Sequence, residues 1–525
     1  MTRFGRRAQR LIMENVQDIY ELSAMQHGLL YDSVITGNSG MYMIQLDYVL
    51  RGRVDRDVLQ RVWQETLNRH AILRTSFHWD EIKTPLQIVH EKVPIAVDFH
   101  DWNDCPSEEL EHRMDLFRDE DRVKGFDFES PPLMRLDLFH VGPGVYRLHW
   151  SFHHLLMEGW SAALVQAEVQ QRYRCAFTAE PLVLAEHRSY RDYITWTQEQ
   201  DPKVAEAYWR KVLKGYEGAT HLCVDHNPSD LHVPVDQFDG QVLTVSREKT
   251  AALKEFGKRH ELTLNTLVQG AWAVMLSAYT GQRDMVFGSV VSGRSVPMDG
   301  VESIVGLFVN LLPSRVEVVP DLALVEWLQD FQKSQVEQRT FEYVGLAEVK
   351  AWSDIPAAKT MFETVVVFQN WTGDLTSTRW NDELTVEEVR GHHGSPGSPI
   401  AVVVIPADEL VLGISYDLKR YSVADIETML GCLRSLLEAV PEGGDWKLRD
   451  LPLLNAEHHQ LVVGQWNPPA STEATPLVPT ELEPQAHATP DAPSPLAGIT
   501  TVHFHALAPP APPVASGLLR PVRVP

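Results

Sequence analysis

The run His153-His154-Leu155-Leu156-Met157-Glu158-Gly159-Trp160-Ser161 constrains this chain more than any other, because it sets two adjacent histidines between two different hydrophobic periods. Upstream, Tyr146, Leu148, Trp150 and Phe152 alternate with Arg147, His149 and Ser151, the period of a half-buried strand. Downstream, Val165, Val169, Tyr173 and Ala176 recur at helical spacing. The histidines therefore fall at a strand end, where successive side chains point to opposite faces. Only one of the two can face a given cavity.

That geometry bears on the chemistry of the pair. A zinc site would need both imidazoles and Glu158 to converge on one ion, and neighbours in an extended segment converge poorly. A general base needs one imidazole in the cavity and a rigid surround that fixes its tautomer, which a double histidine supplies. No metal is expected. The pairs His392-His393, in a Gly/Pro loop, and His458-His459, in a polar stretch, read as structural and show that two adjacent histidines alone are a weak signal.

The stretch His153 to Ser161 resembles the HHxxxDG motif of nonribosomal peptide synthetase condensation domains, relatives of chloramphenicol acetyltransferase. Further segments carry the same resemblance in the same order. Leu22-Ser23-Ala24-Met25-Gln26-His27-Gly28-Leu29-Leu30 is similar to the family's opening helix, and Arg69-His70-Ala71-Ile72-Leu73-Arg74-Thr75-Ser76-Phe77 to its RHExLRTxF. Tyr190-Arg191-Asp192-Tyr193, Ser292-Gly293-Arg294 and Val305-Gly306-Leu307-Phe308-Val309-Asn310-Leu311-Leu312-Pro313 follow. The match runs from about residue 17 to about residue 465.

The resemblance implies an α/β fold, an α+β sandwich in which two chloramphenicol acetyltransferase-like lobes form a V-shaped pseudo-dimer with the active site at the junction. It also implies amide-bond formation between an acyl or peptidyl thioester donor and an aminoacyl acceptor. Both partners would be carrier proteins, their substrates held on 4'-phosphopantetheine, and the chain itself would bind no cofactor. His154 would act as general base or position the amine. His153 would support the loop, and Gly159 would admit the reacting centre to the backbone or offer an N–H to an oxyanion. Gln26, Trp160, Ser161, Ser292 and Asn310 would line the substrate tunnel.

Taken by residue pattern alone, Trp160 and Trp272 read as core, and Ser161 as a helix cap rather than a nucleophile, since no G-x-S-x-G elbow surrounds it. Where the family has Asp, this chain has Glu158, whose carboxylate sits about one bond, ~1.5 Å, further out. In the family that Asp is held by an arginine. Arg294, or else Arg74, is the expected partner here, because a guanidinium fork can hold a carboxylate bidentately and absorb such a displacement. Two alternatives stay open, an epimerization domain of the same fold and a catalytically impaired recruitment module; a heterocyclization domain would replace the motif with paired aspartates.

Composition fits a large enzyme of more than one lobe. The 525 residues are 44% hydrophobic, more than one compact core accommodates. No run approaches the ~20 apolar residues that cross a bilayer, and the basic start with Arg3, Arg6, Arg7 and Arg10 lacks a signal peptide's apolar stretch. Cys105, Cys175, Cys223 and Cys432 fit no zinc or CxxC spacing, so a cytoplasmic setting is expected. A formal charge of -24 argues against nucleic acid as partner. The expected molecule is a monomer that binds no membrane.

Along the chain, residues 1–16 read as a flexible lead, 17–180 as the first lobe and 181–450 as the second. In the first, Ile44 to Leu50 alternates as a strand, Asp55 caps a helix with Val54 and Leu59 as a staple, and Leu133 to Val141 is a further strand. In the second, Thr263 caps a helix that Gly281 ends, and a strand runs from Met285 to Ser292. Thr364 to Phe368 and Ile400 to Ile405 look like central strands, and Ile426 to Leu437 marks a late helix. Residues 451–467 resemble the linker into an adenylation domain. From Pro468 onward lie 14 of 33 prolines without hydrophobic period, so 468–525 is expected to be disordered. A free-standing enzyme, an excised piece and a truncated product all remain open.

Overall fold

The structure is a computed structural model that describes residues 15–37, 40–178, 180–184, 186–229, 237–369, 379–393, 397–454, 460 and 488–491. Residues 1–455 form one compact unit and 456–525 a second. The expectations for the first fourteen residues, for His458-His459 and for nearly all of the tail lie outside the described residues. Among the described residues, no helix is long and apolar enough to cross a membrane, and the four cysteines are free.

In chain order the strands are β1 (Val16–Glu21), β2 (Met43–Gly52), β3 (Thr75–His78), β4 (Leu86–His90), β5 (Val97–Asp101), β6 (Met134–Gly142), β7 (Val145–His153), β8 (Phe238–Val245), β9 (Asp284–Val291), β10 (Asn310–Glu317), β11 (Thr364–Phe368), β12 (Leu384–His393), β13 (Ile400–Ile405) and β14 (Leu410–Asp417). They make a small sheet β1-β4-β3, a sheet β12-β2-β7-β6-β5 and a sheet β10-β9-β11-β13-β14-β8. Pairing is antiparallel except β5 with β6 and β11 with its neighbours β9 and β13. The two apolar runs expected to be central strands are β11 and β13, both interior to the third sheet.

The first large core lies on the face of β2 and β7 that carries Leu46, Tyr48, Leu50, Leu148, Trp150 and Phe152. Helix Arg56–Arg69 lays Leu59, Val62, Trp63 and Leu67 against it, and helix Gly159–Cys175 adds Val165, Val169 and Tyr173. Trp63 meets Trp150 edge-on at 4.9 Å. Asp55 caps the first helix through the Val58 N–H at 3.0 Å, as its position predicted. The second core packs Trp272, Val402, Ile414 and Leu433 between the third sheet and helices Leu264–Thr280 and Val423–Ala439. Thr263 caps the former through Thr266 N–H, and Gly281 ends it at φ 70°.

Three expectations need correction. β7 is not half-buried: its residues 148–153 are buried throughout, as are residues 43–50 of its neighbour β2, because helix Ser107–Lys124 covers the polar face as well. That face closes as a charge network. His149 Nδ1 lies 2.6 Å from Asp47 Oδ1 and its Nε2 3.2 Å from Asp121 Oδ2, while Arg118 pairs with Asp47 and Arg135 with Asp121. A division at 180/181 does not describe sheet membership, since β12 returns from the second half of the chain to pair with β2. His392-His393 then ends a strand, opposite Gln45 and Ile44, rather than sitting in a loop.

Candidate active site

The histidine pair sits where β7 ends and the chain turns into helix Gly159–Cys175. His153 is 2% exposed. Its Nδ1 accepts the Leu155 N–H at 3.2 Å, and its Nε2 lies 3.4 Å from Ser33 Oγ. Those contacts place the ring proton on Nε2. The ring stands edge-on to Phe128 at 4.9 Å. Burial first, and His154 second, push its pKa down to about 3 against a hydrogen bond to the Met41 backbone.

His154 is half-buried, and its backbone N–H donates to Tyr42 O at 2.9 Å. Its Nδ1 is enclosed and makes no hydrogen bond. Burial lowers its pKa below the ordinary histidine value, while the Glu158 charge and backbone groups of His154 and Met157 act in the other direction. A neutral ring at neutral pH is the state a base requires.

Glu158, 4% exposed, anchors the far end of the loop. Of the two arginines expected to hold it, Arg294 does so, with Nη2 2.7 Å from Glu158 Oε1. The pairing is not bidentate. Glu158 Oε2 instead accepts the Phe308 N–H at 3.0 Å, and Arg294 Nη1 donates to the carbonyls of Val301 and Ile304 at 2.7 and 3.1 Å. Arg74 is not the partner: it is spent on Leu67 O, Gln17 Oε1 and Glu91 O on the side of the small sheet. The guanidinium of Arg294 also lies 4.1 Å over the Phe308 ring.

Three of the motif segments thereby meet at one carboxylate. Ser292-Gly293-Arg294 supplies the guanidinium, and Val305 to Pro313 supplies the Phe308 N–H. Gly293 is obligatory at this contact: its φ is 67°, and a Cβ there would fall 1.8 Å from Phe308 O. Tyr190 Oη braces the same segment by donating to Leu307 O at 2.6 Å. Farther off, His70 lies 2.9 Å from Glu168 Oε2 and ties the arginine-histidine motif to helix Gly159–Cys175.

Several site residues stand differently from their expected roles. Ser161 makes no cap; its Oγ donates to Gly306 O at 2.7 Å and accepts from Arg294 Nη2 at 2.8 Å and Gly306 N–H at 3.1 Å. Trp160 is not core but 39% exposed, with its indole N–H donated to Glu302 O at 2.9 Å. Gln26 is fully buried and holds the loop through Leu155 O at 2.9 Å, within a capping box with Ser23. Asn310 is also buried and spends its amide on Glu342 O and Val344 O. Ser292 is exposed, and its Oγ accepts the Arg294 N–H at 3.3 Å. Gly159 is exposed at the first position of its helix.

A metal held by His153, His154 and Glu158 does not fit, because both nitrogens of His153 and both oxygens of Glu158 already have partners. Elsewhere, among the described residues, His221, Asp225 and Glu363 come close enough to share an ion. Arg420 already pairs with both of those carboxylates. Residue reasoning missed the Phe308 N–H, the Gly306 carbonyl and the Tyr42 carbonyl. All three are backbone groups, and backbone groups leave no signal in residue type.

The family model for the condensation domain matches residues 16–463. The chain belongs to the condensation-domain family. This condensation domain is 35% identical over 481 residues to a component of the linear gramicidin synthase of Brevibacillus parabrevis, across 91% of this chain. It is 32% identical to bacitracin synthase 1 of Bacillus licheniformis across 86% of the chain. The chain spans 9% of each of those relatives. Among solved structures, the first condensation domain of the calcium-dependent antibiotic synthetase superposes with a TM-score of 0.68 at 16% identity, covering 84% of this chain and 100% of that one. A four-domain nonribosomal peptide synthetase bound to AMP and glycine superposes at 0.72 and 17% identity, covering 94% and 38%. These likenesses show the fold, a mixed α/β sandwich.

Proposed function

We propose that this condensation domain forms an amide bond between an acyl or peptidyl thioester on a donor carrier protein and the amine of an aminoacyl thioester on an acceptor carrier. Family membership supports the reaction class. The observation that carries the reading is His154, a half-buried ring with depressed basicity on a loop locked by Glu158, Arg294 and Ser161. With Nδ1 enclosed, Nε2 is the nitrogen left to meet a substrate. The amine nitrogen attacks the thioester carbonyl carbon; the C–N bond forms, the C–S bond breaks, and the donor phosphopantetheine leaves as a thiolate. His154 Nε2 takes the proton lost by the attacking nitrogen and can return it to that thiolate, so the ring ends as it began.

Little more is demanded of the protein. A thioester is already activated, and tethering both reactants raises their effective concentration. The N–H groups at the exposed start of helix Gly159–Cys175 offer donors to the developing oxyanion. The chain needs no cofactor of its own for these steps; phosphopantetheine arrives on the carriers.

Incubation with two loaded carriers and intact-protein mass spectrometry tests the reading. The acceptor carrier should gain the donor acyl mass while the donor returns to its free thiol mass. A single loaded carrier that exchanges its α-hydrogen for deuterium without any transfer would make the chain an epimerization domain. Capture of carriers with neither reaction would make it a recruitment module.

A further inference from the structure

Tyr42 carries a left-handed backbone, φ 59°, immediately before β2. A side chain with a Cβ is disfavoured there, and such a residue persists only where its surroundings over-determine it. The β2–β7 register pairs Met43 with His153, so Tyr42 and His154 come next. The left-handed turn ends the ladder at that point and leaves one bond, from the His154 N–H to Tyr42 O at 2.9 Å. The His154 backbone is thus held while its ring leaves the alternation of the sheet.

Two contacts hold Tyr42 in turn. Its hydroxyl donates to Asp32 Oδ2 at 2.8 Å, on the opening helix Ala24–Ile35. The same phenol lies against Gly397, where a Cβ would fall 2.2 Å from Tyr42 Oη, so the second half of the chain closes over it without a side chain. We propose that Tyr42 is a positioning residue for His154: its hydroxyl, anchored on Asp32, keeps the backbone turn that aims the Tyr42 carbonyl at the His154 N–H. This rests on the reading that His154 carries the reaction. Neither the histidine motif nor the opening helix motif contains Tyr42, yet it joins the two.

The test is steady-state amide formation between two loaded carriers, with thermal melting, for Tyr42→Phe, Asp32→Ala, His154→Ala and the double variant Tyr42→Phe/His154→Ala. Loss of one positioning hydrogen bond should lower kcat per folded molecule roughly fivefold to tenfold in Tyr42→Phe and in Asp32→Ala, with KM for each carrier unchanged and the melting temperature only slightly lower. The double variant should be no slower than His154→Ala alone, because both act on one group. Should Tyr42→Phe fail to fold, Asp32→Ala carries the same test. Wild-type kcat in the single variants, a fall in melting temperature with kcat per folded molecule intact, or additive losses in the double variant would each overturn the proposal and leave the His154 reading standing. Wild-type rates in His154→Ala would overturn both.

Discussion

Arg294 and Glu158 meet at 2.7 Å, each side chain 5% exposed, and this pair joins the loop of the two histidines to the segment that follows β9. Glu158 is one methylene longer than the aspartate of the motif this loop resembles, and its two oxygens serve Arg294 and the Phe308 N–H separately. A carboxylate one bond shorter must move the loop to keep both.

Glu158→Ala should therefore cost stability before it costs chemistry. It leaves Arg294 buried beside carbonyls with no counter-charge, and such a loss runs to about 3 to 5 kcal/mol. Glu158→Asp keeps the ion pair and forfeits at most the Phe308 bond, roughly 1 kcal/mol. Chemical denaturation of the two variants separates these values. An alanine variant as stable as the parent but inactive would move Glu158 from scaffold to chemistry.

What was legible in the sequence was local. The alternation of Tyr146 to Phe152, the cap at Thr263 and the stop at Gly281 depend on neighbours within a turn or two, and the structure has β7 and helix Leu264–Thr280 where those signals put them. The arginine partner of Glu158 came from the family resemblance, which put Arg294 ahead of Arg74, and the fold has Arg294 there. β12 escaped because Glu387, Glu388 and Arg390 look like a solvent-facing stretch, and its partner β2 lies more than three hundred residues earlier. Ser161 read as a cap because capping is local, whereas its actual partners, Gly306 and Arg294, lie far along the chain. Polar residues on β7 signalled solvent until helix Ser107–Lys124 supplied Asp121 as a counter-charge for His149.

That buried network gives stability a pH dependence with two limbs. Burial alone would lower the pKa of His149, but hydrogen bonds to Asp121 and Asp47 override it and raise the value to about 9. A raised pKa contributes stability fully present below the unfolded value near 6.5 and lost as pH climbs through about 9. His153 does the opposite. With its folded pKa near 3, the unfolded chain takes up a proton below about 6.5 that the folded chain refuses, so stability falls toward acid. Urea midpoints measured between pH 4 and 9 should peak near pH 6.5. In His149→Leu the alkaline decline should shrink whatever the absolute stability of the variant; an undiminished decline would remove His149 from the account.

The two histidines should separate cleanly by substitution. His154→Ala removes a half-buried ring and keeps the backbone bond to Tyr42 O, so the melting temperature should stay near that of the parent. Its rate of amide formation should fall by ~10²- to 10⁴-fold, the range a positioned base supplies, with a residual rate left by tethering and the activated thioester. His153→Ala forfeits the Leu155 and Ser33 contacts and the Phe128 ring, and should melt lower by an amount equivalent to roughly 2 kcal/mol. Because the donor atoms of His153 and Glu158 are already engaged, chelators should leave the parent rate unchanged. The assignment fails if His154→Ala matches the parent across several donor and acceptor pairs, or if His153→Ala is the variant that loses rate while keeping its stability.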